Sequence, residues 1–396
     1  MSKNIVILLD GTSNAIASAR TNVLRLYGCL RKSEAQLVYY DPGVGTLGAQ
    51  GAWSHKAQQA SELWGMATGY GIDQNVKEAY RFLVEHYDNG KAKDGERDRI
   101  YIFGFSRGAY TARMLAGFLH TTGLIEARNL NLLDYAYRAY KRVGEDATAD
   151  AFAEVRLYER ILDTDRPPIR LLGLFDTVAS VIEPGPGLLP RLKSHASTSR
   201  NPSVESVRHA VALDERRRMF RALLWPEGQA FRRNRFAPGE GVPQDAREVW
   251  FAGTHGDIGG GYPEAESALA KISLAWMIDE TRPMGLDYVT QTVNRLVLGQ
   301  GSEGTYVPPD AFADRHESMN PFWQIVEYLP LPTKAQGITG LSMTRGRYRD
   351  IPSGARIHAS ALARFDREGG IPARVPSDHR QEGEPSQWGA ADVSDG

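Results

Sequence analysis

A serine flanked by glycines, Gly104-Phe105-Ser106-Arg107-Gly108, sits where the periodicity of the chain changes. Before it, Arg99 to Phe105 is a nearly unbroken apolar run, the composition of a strand buried on both faces. After it, Gly108 to His120 reads as a helix, with small residues where it must approach the sheet. The G-x-S-x-G pattern is common by chance, but a strand-turn-helix setting restricts it sharply. There the serine is forced into a tight turn that lifts its hydroxyl above the sheet, and the glycines let strand and helix close up. This predicts Ser106 as a nucleophile. The plainer reading is a serine that caps the following helix.

The rest of the chain supplies the frame such a turn needs. Asn4 to Asp10 is another continuous apolar run, and Gln36 to Tyr40 and Ile169 to Phe175 read as further strands. Glu248 to Ala252 reads as a fifth strand, and His209 to Leu213 and Arg221 to Trp225 are weaker strand or loop candidates. Helical patterns fall at Thr21 to Arg31, Asp73 to Tyr87, within Asn131 to Arg160, and at Ser267 to Glu280. Strands alternating with helices imply right-handed crossovers and a mostly parallel sheet flanked by helices, an α/β fold with helical and loop insertions. After Gly285 the pattern weakens. The expected organisation is a catalytic domain over 1–286, a loop-rich C-terminal extension over 287–375 packed on it, and a disordered tail over 376–396.

A serine hydroxyl needs a base, and the base is a histidine oriented by a carboxylate. On a sheet of this kind they follow the serine in the order acid then histidine, in loops at the carboxyl ends of later strands. Asp176 directly follows Leu172-Gly173-Leu174-Phe175, and His255 follows Val249-Trp250-Phe251-Ala252. His209 is the second candidate base, although a structural histidine at a strand start is its plainer reading. Asp257, two residues from His255, and Asp214 remain rival acids, with Asp176 preferred for its place after a core strand.

An oxyanion needs two backbone donors. One is the N–H of Arg107, directly after the serine; the other falls in Asp10-Gly11-Thr12-Ser13-Asn14, at Gly11 or Thr12, with Asp10 bracing the loop. Gly256-Asp257-Ile258-Gly259-Gly260-Gly261-Tyr262 lacks phosphate-loop spacing, so its glycines read as permitting close approach around His255. Leu47 to Gly71, with Trp53, Trp64 and Met66, is a candidate lid or acyl pocket, or core filling.

Composition narrows the partners. Lys plus Arg number 47 against 48 acidic residues, a formal net charge of -1, which points away from nucleic acid. A small-molecule or lipid ester remains compatible, with transient membrane contact through local patches. The single cysteine, Cys29, rules out an intramolecular disulfide and a cysteine zinc site, and its apolar helical setting reads as buried. No cofactor or metal is expected. The N-terminal apolar run is too short for a membrane span and has no cleavage site, so the expected location is cytoplasmic, unless a signal-independent system exports the chain.

Longer blocks carry a resemblance. Leu9 to Thr12, Thr21 to Tyr27, Tyr40 to Thr46, Gly104 to Arg113, Phe175 to Val178 and His255 to Tyr262 resemble, in order, an uncharacterised α/β-hydrolase family. That family is related to the phospholipase effectors delivered by bacterial type VI secretion, and the resemblance runs from about Lys3 to about Leu286. It implies a serine-aspartate-histidine triad, here Ser106, Asp176 and His255, and ester hydrolysis through an acyl-enzyme, on phospholipids among other esters. Two further readings stand beside it: a non-catalytic binding or assembly protein on a hydrolase scaffold, and a hydrolase of an amide or cell-wall bond.

Overall fold

Alternate side chains of Asn4–Leu9, strand β1, enter two different cores, which is what the continuous apolar run requires. Ile5, Ile7 and Leu9 join one apolar cluster, and Val6 and Leu8 join the other. Burying each such side chain contributes roughly 1.5–3 kcal/mol. The computed structural model describes residues 2–11, 20–43, 70–91, 95–145, 149–178, 182–184, 190–192, 197–233, 241–301, 303–328, 331–335, 338–342 and 346–383. The candidate lid, Leu47 to Gly71, lies outside the described residues except for its last two.

The main sheet has eight strands. They are β1, β2 (Gln36–Asp41), β3 (Arg99–Phe105), β4 (Ile169–Phe175), β5 (Val204–Ala212), β6 (Asp245–Phe251), β7 (Arg356–His358) and β8 (Arg380–Glu382). Their spatial order is β8-β7-β6-β5-β4-β3-β1-β2, and every neighbouring pair is parallel. The chain starts at β1, steps outward to β2, then returns past β1 to β3. The order therefore reverses between β1 and β3, and ligands of open α/β sheets bind in the crevice beyond the strand ends at such a point.

Helices cover both faces. On one side lie α1 (Asn22–Cys29) and, late in the chain, Ala268–Thr281 and Thr290–Leu296; on the other lie α2 (Tyr70–His86), α3 (Arg107–Thr122) and α4 (Leu133–Glu145). Thr21 caps α1, its hydroxyl accepting the Leu24 N–H at 3.1 Å. Cys29 is fully buried on the α1 face. No helix among the described residues is long and apolar enough to cross a membrane.

The structure refines the sequence expectations at three places. The weak candidate at His209 to Leu213 is part of a nine-residue strand at the centre of the sheet. Its apolar pattern is broken by polar residues that are buried with partners: Arg208 binds Glu280 and Asp245, and His209 binds Glu248. Arg221 to Trp225, read as strand or loop, is a loop that forms only the isolated bridge Val178 to Ala222. Finally, Arg356–His358 and Arg380–Glu382, from the segments read as extension and tail, extend the main sheet. Three-residue strands are too short to show a period.

Candidate active site

Both glycines of the Ser106 turn are there for space. A Cβ on Gly104 would stand 2.4 Å from the Gly108 carbonyl oxygen, and one on Gly108 would stand 2.1 Å from that of Leu9. Strand β3, the first turn of α3 and the end of β1 therefore meet with no room for a side chain. Ser106 sits between them at φ 57°, ψ -121°, a conformation that costs a non-glycine residue on the order of 1–3 kcal/mol. It occupies the N-cap position of α3 but makes no side-chain capping bond. Its hydroxyl instead donates to Nε2 of His255 at 2.8 Å.

Register explains how Asp176 reaches the same place. Phe105 and Phe175 pair across β3 and β4, so Ser106 and Asp176 leave neighbouring strands at one level. Asp176 also has positive φ, 39°. Its N–H donates to Ala210 O, and its Oδ1 accepts the Ala212 N–H at 2.9 Å. Its Oδ2 accepts from His255 Nδ1 at 2.5 Å. With Nδ1 as donor, Nε2 is left as acceptor for the serine; this network assigns the tautomer.

His255 opens the short helix α5 (His255–Gly259) just past β6. Its ring lies between Phe105, centroid 4.7 Å away, and Phe220, 4.9 Å away in an edge arrangement. Gly259 makes room for Phe105, since a Cβ there would come within 1.9 Å of the Phe105 ring. Burial is the main influence on the imidazole and holds its pKa below the ordinary histidine value. The Asp176 hydrogen bond and charge pull upward, and Arg217 adds to the lowering.

Asp176 is fully buried, and burial alone would raise its pKa. The positive charge of Arg349, with hydrogen bonds from His255 and Arg349, outweighs this and holds the carboxyl well below the usual range. Arg349 grips it with both ends of its fork, Nη1 to Oδ1 at 2.5 Å and Nη2 to Oδ2 at 2.9 Å.

The rival groups are engaged elsewhere. Asp257 Oδ2 accepts the Thr254 N–H at 2.8 Å and its hydroxyl at 3.1 Å, and Oδ1 pairs with His316 Nδ1 at 2.6 Å. It thus holds the helix that carries His255, not the imidazole. Asp214 accepts the Gly253 N–H and pairs with Arg315 and Arg374. His209 is fully buried within β5, Nδ1 donating to Glu248 and Nε2 accepting the Thr177 N–H.

Of the proposed oxyanion donors, Arg107 opens α3 directly beside Ser106, where the helix N-terminus favours negative charge. Gly11 runs alongside, its Cβ direction 3.5 Å from the Ser106 Cβ. Its N–H, however, is turned back to Asp10 Oδ1 at 2.7 Å and so points into its own loop. Asp10 Oδ2 also takes the hydroxyls of Thr21 at 2.5 Å and Tyr40 at 2.8 Å, tying the loop to α1 and β2. Thr12 lies outside the described residues.

Residue patterns gave no sign of Arg349, Phe220 or Glu215. Glu215 is buried, accepts the His255 N–H at 3.2 Å and pairs with Arg217. Burial pushes its pKa up, but Arg217 and Arg349 prevail and leave it at about 2. It lies in the charged run Asp214-Glu215-Arg216-Arg217-Arg218, a composition that normally marks a solvated surface.

Residues 3–280 match a family model described as T6SS, phospholipase effector Tle1-like, catalytic domain. The chain is 32% identical over 233 residues to the uncharacterized protein YEL023C of Saccharomyces cerevisiae, an alignment covering 56% of this chain and 32% of that protein. The chain thus spans about a third of that relative's length. Among solved structures it is similar to an uncharacterized protein from Pseudomonas aeruginosa, with 20% identity, a TM-score of 0.39, and 74% of this chain and 47% of that chain covered. It is also similar to the Tle1 effector bound to the VgrG spike from the type 6 secretion system, with 20% identity, a TM-score of 0.35, and coverage of 68% and 53%.

Proposed function

Because the chain belongs to the Tle1-like phospholipase effector family, matched through the catalytic domain, we propose that it hydrolyses carboxylic esters of phospholipids through Ser106, His255 and Asp176. The observation that carries this reading is the hydroxyl of Ser106, held on a strained turn and bonded to His255 Nε2 at 2.8 Å instead of capping its helix.

In this mechanism Ser106 Oγ attacks the ester carbonyl carbon while His255 Nε2 takes the hydroxyl proton. Asp176 keeps Nδ1 protonated and stabilises the imidazolium. The carbonyl oxygen becomes an oxyanion, stabilised by the Arg107 N–H and the start of α3; one such donor is worth ~3 kcal/mol. Collapse breaks the bond to the alcohol oxygen, and His255 returns the proton to that leaving group. Water, deprotonated by the same nitrogen, then releases the fatty acid and restores Ser106. Phe105 and Phe220 flank the imidazole and limit water there, which strengthens each polar contact.

The test is a panel of phospholipids and soluble esters, run with wild type, Ser106→Ala and His255→Ala, alongside labelling by a fluorophosphonate. Phospholipid turnover and labelling are expected in wild type and lost in both variants. Labelling that persists in Ser106→Ala overturns the nucleophile. Turnover confined to soluble esters overturns the substrate.

A further inference from the structure

Arg349 stands well beyond residue 280, where the family match ends, yet it reaches the carboxylate that holds His255. Besides its two bonds to Asp176, the guanidinium donates to backbone carbonyls. Nη1 binds Ala212 O at 3.2 Å and Nε binds Phe220 O at 3.1 Å, with Nη2 also on Phe220 O. Its side chain is 6% exposed, against 0% for Asp176. We propose that Arg349 is a positioning residue of the hydrolytic site: its fork locks the Asp176 carboxylate and, through Phe220, one aromatic wall of His255, so that the C-terminal segment completes the site. The inference rests on the roles given above to Ser106, His255 and Asp176.

Geometry makes the case. A carboxylate bonded on one oxygen can rotate about its χ2 axis and lose the histidine. Here Oδ1 takes Ala212 N–H and Nη1, and Oδ2 takes His255 Nδ1 and Nη2, so rotation breaks four bonds at once. Planar, bidentate recognition of this kind belongs to arginine and is not reproduced by lysine. Asp176 also holds a strained backbone, φ 39°, which persists only where its surroundings over-determine it.

The clamp has an electrostatic consequence. An isolated aspartate beside the imidazole favours the imidazolium; an aspartate neutralised by arginine favours it less. Among the described residues, the other charged groups facing His255 are Glu215, which accepts its N–H, and Arg217, which is paired to Glu215. On the far side of Asp176 the titratable group is His209, held by Glu248 and Thr177. Arg349 is therefore the charge that balances Asp176.

The experiment measures the fluorophosphonate labelling rate of the full chain from about pH 5 to about pH 9. It compares wild type, Ser106→Ala, Arg349→Met, Arg349→Gln and Arg349→Lys, with folding checked by circular dichroism. Met and Gln both remove the charge, and Gln keeps donors to satisfy the carboxylate, so the folded one of the two serves. The expected result is labelling slowed by roughly 10–100-fold, with the acid limb moved to higher pH. Arg349→Lys should keep the wild-type limb and recover only part of the rate. A purely structural role would lower the melting temperature and the active fraction but leave the limb in place. An unmoved limb in a folded charge-removing variant therefore overturns the proposal. Wild type that does not label, or Ser106→Ala that does, removes the underlying triad reading and this inference with it.

Discussion

The Ser106 hydroxyl and His255 Nε2 lie 2.8 Å apart although 149 residues separate them in the chain. That contact needs a neutral imidazole. Burial already lowers the His255 pKa, so the neutral form persists to more acidic pH than in a free histidine. Ester hydrolysis should hold its plateau through neutral pH and fall only as pH drops through this lowered pKa. A kcat/KM profile checks it: an inflection above the ordinary histidine value of about 6.5 would contradict the burial assigned to the ring.

Ser106→Ala and Ser106→Gly both lose the hydroxyl, and neither should hydrolyse ester. They differ in strain. Ala keeps a Cβ at φ 57°, and Gly does not. Relief of roughly 1–3 kcal/mol, less the extra freedom glycine has when unfolded, leaves the Gly variant ahead by about 1 kcal/mol. Urea unfolding of the two proteins gives the difference. A less stable Gly variant would mean that the turn is not strained.

Gly108→Ala asks for space that does not exist. Its new methyl would meet the backbone oxygens of Leu9 and Asp10 at 2.1 and 2.5 Å. Backbone cannot move as a side chain can, so α3 must lift from β1. We expect a loss of at least ~1–3 kcal/mol in unfolding free energy and a marked loss of labelling at Ser106. Wild-type values for both would disprove the packing described for this turn.

His209→Gln separates a structural histidine from a catalytic one. The variant leaves Glu248 and the Thr177 N–H without their full set of partners in a buried place, at a cost of about 1–3 kcal/mol. Fluorophosphonate labelling should continue on the folded fraction. Complete loss of labelling with normal stability would return His209 to candidacy as the base.

Much of the candidate site was legible because its pattern is local. Gly104, Ser106 and Gly108 announce a tight turn within five residues, and the apolar runs ending at Phe175 and Ala252 announce strands whose next residues leave the sheet. Asp257 shows where locality misleads. It stands two positions from His255, yet a residue at that spacing in a helix start turns back to cap Thr254.

By itself, then, the sequence determined the longer elements with a clear period, the parallel order they imply and the turn at Ser106, because hydrophobic period and steric allowance are properties of neighbouring residues. Tertiary structure alone decided which carboxylate faces His255, that the Gly11 N–H turns into Asp10, and that Arg349 closes on Asp176. It also decided that β5 is central despite Arg208 and His209 within it. Those outcomes depend on pairing buried charges and polar groups across long stretches of chain, and no local pattern encodes which partner will arrive.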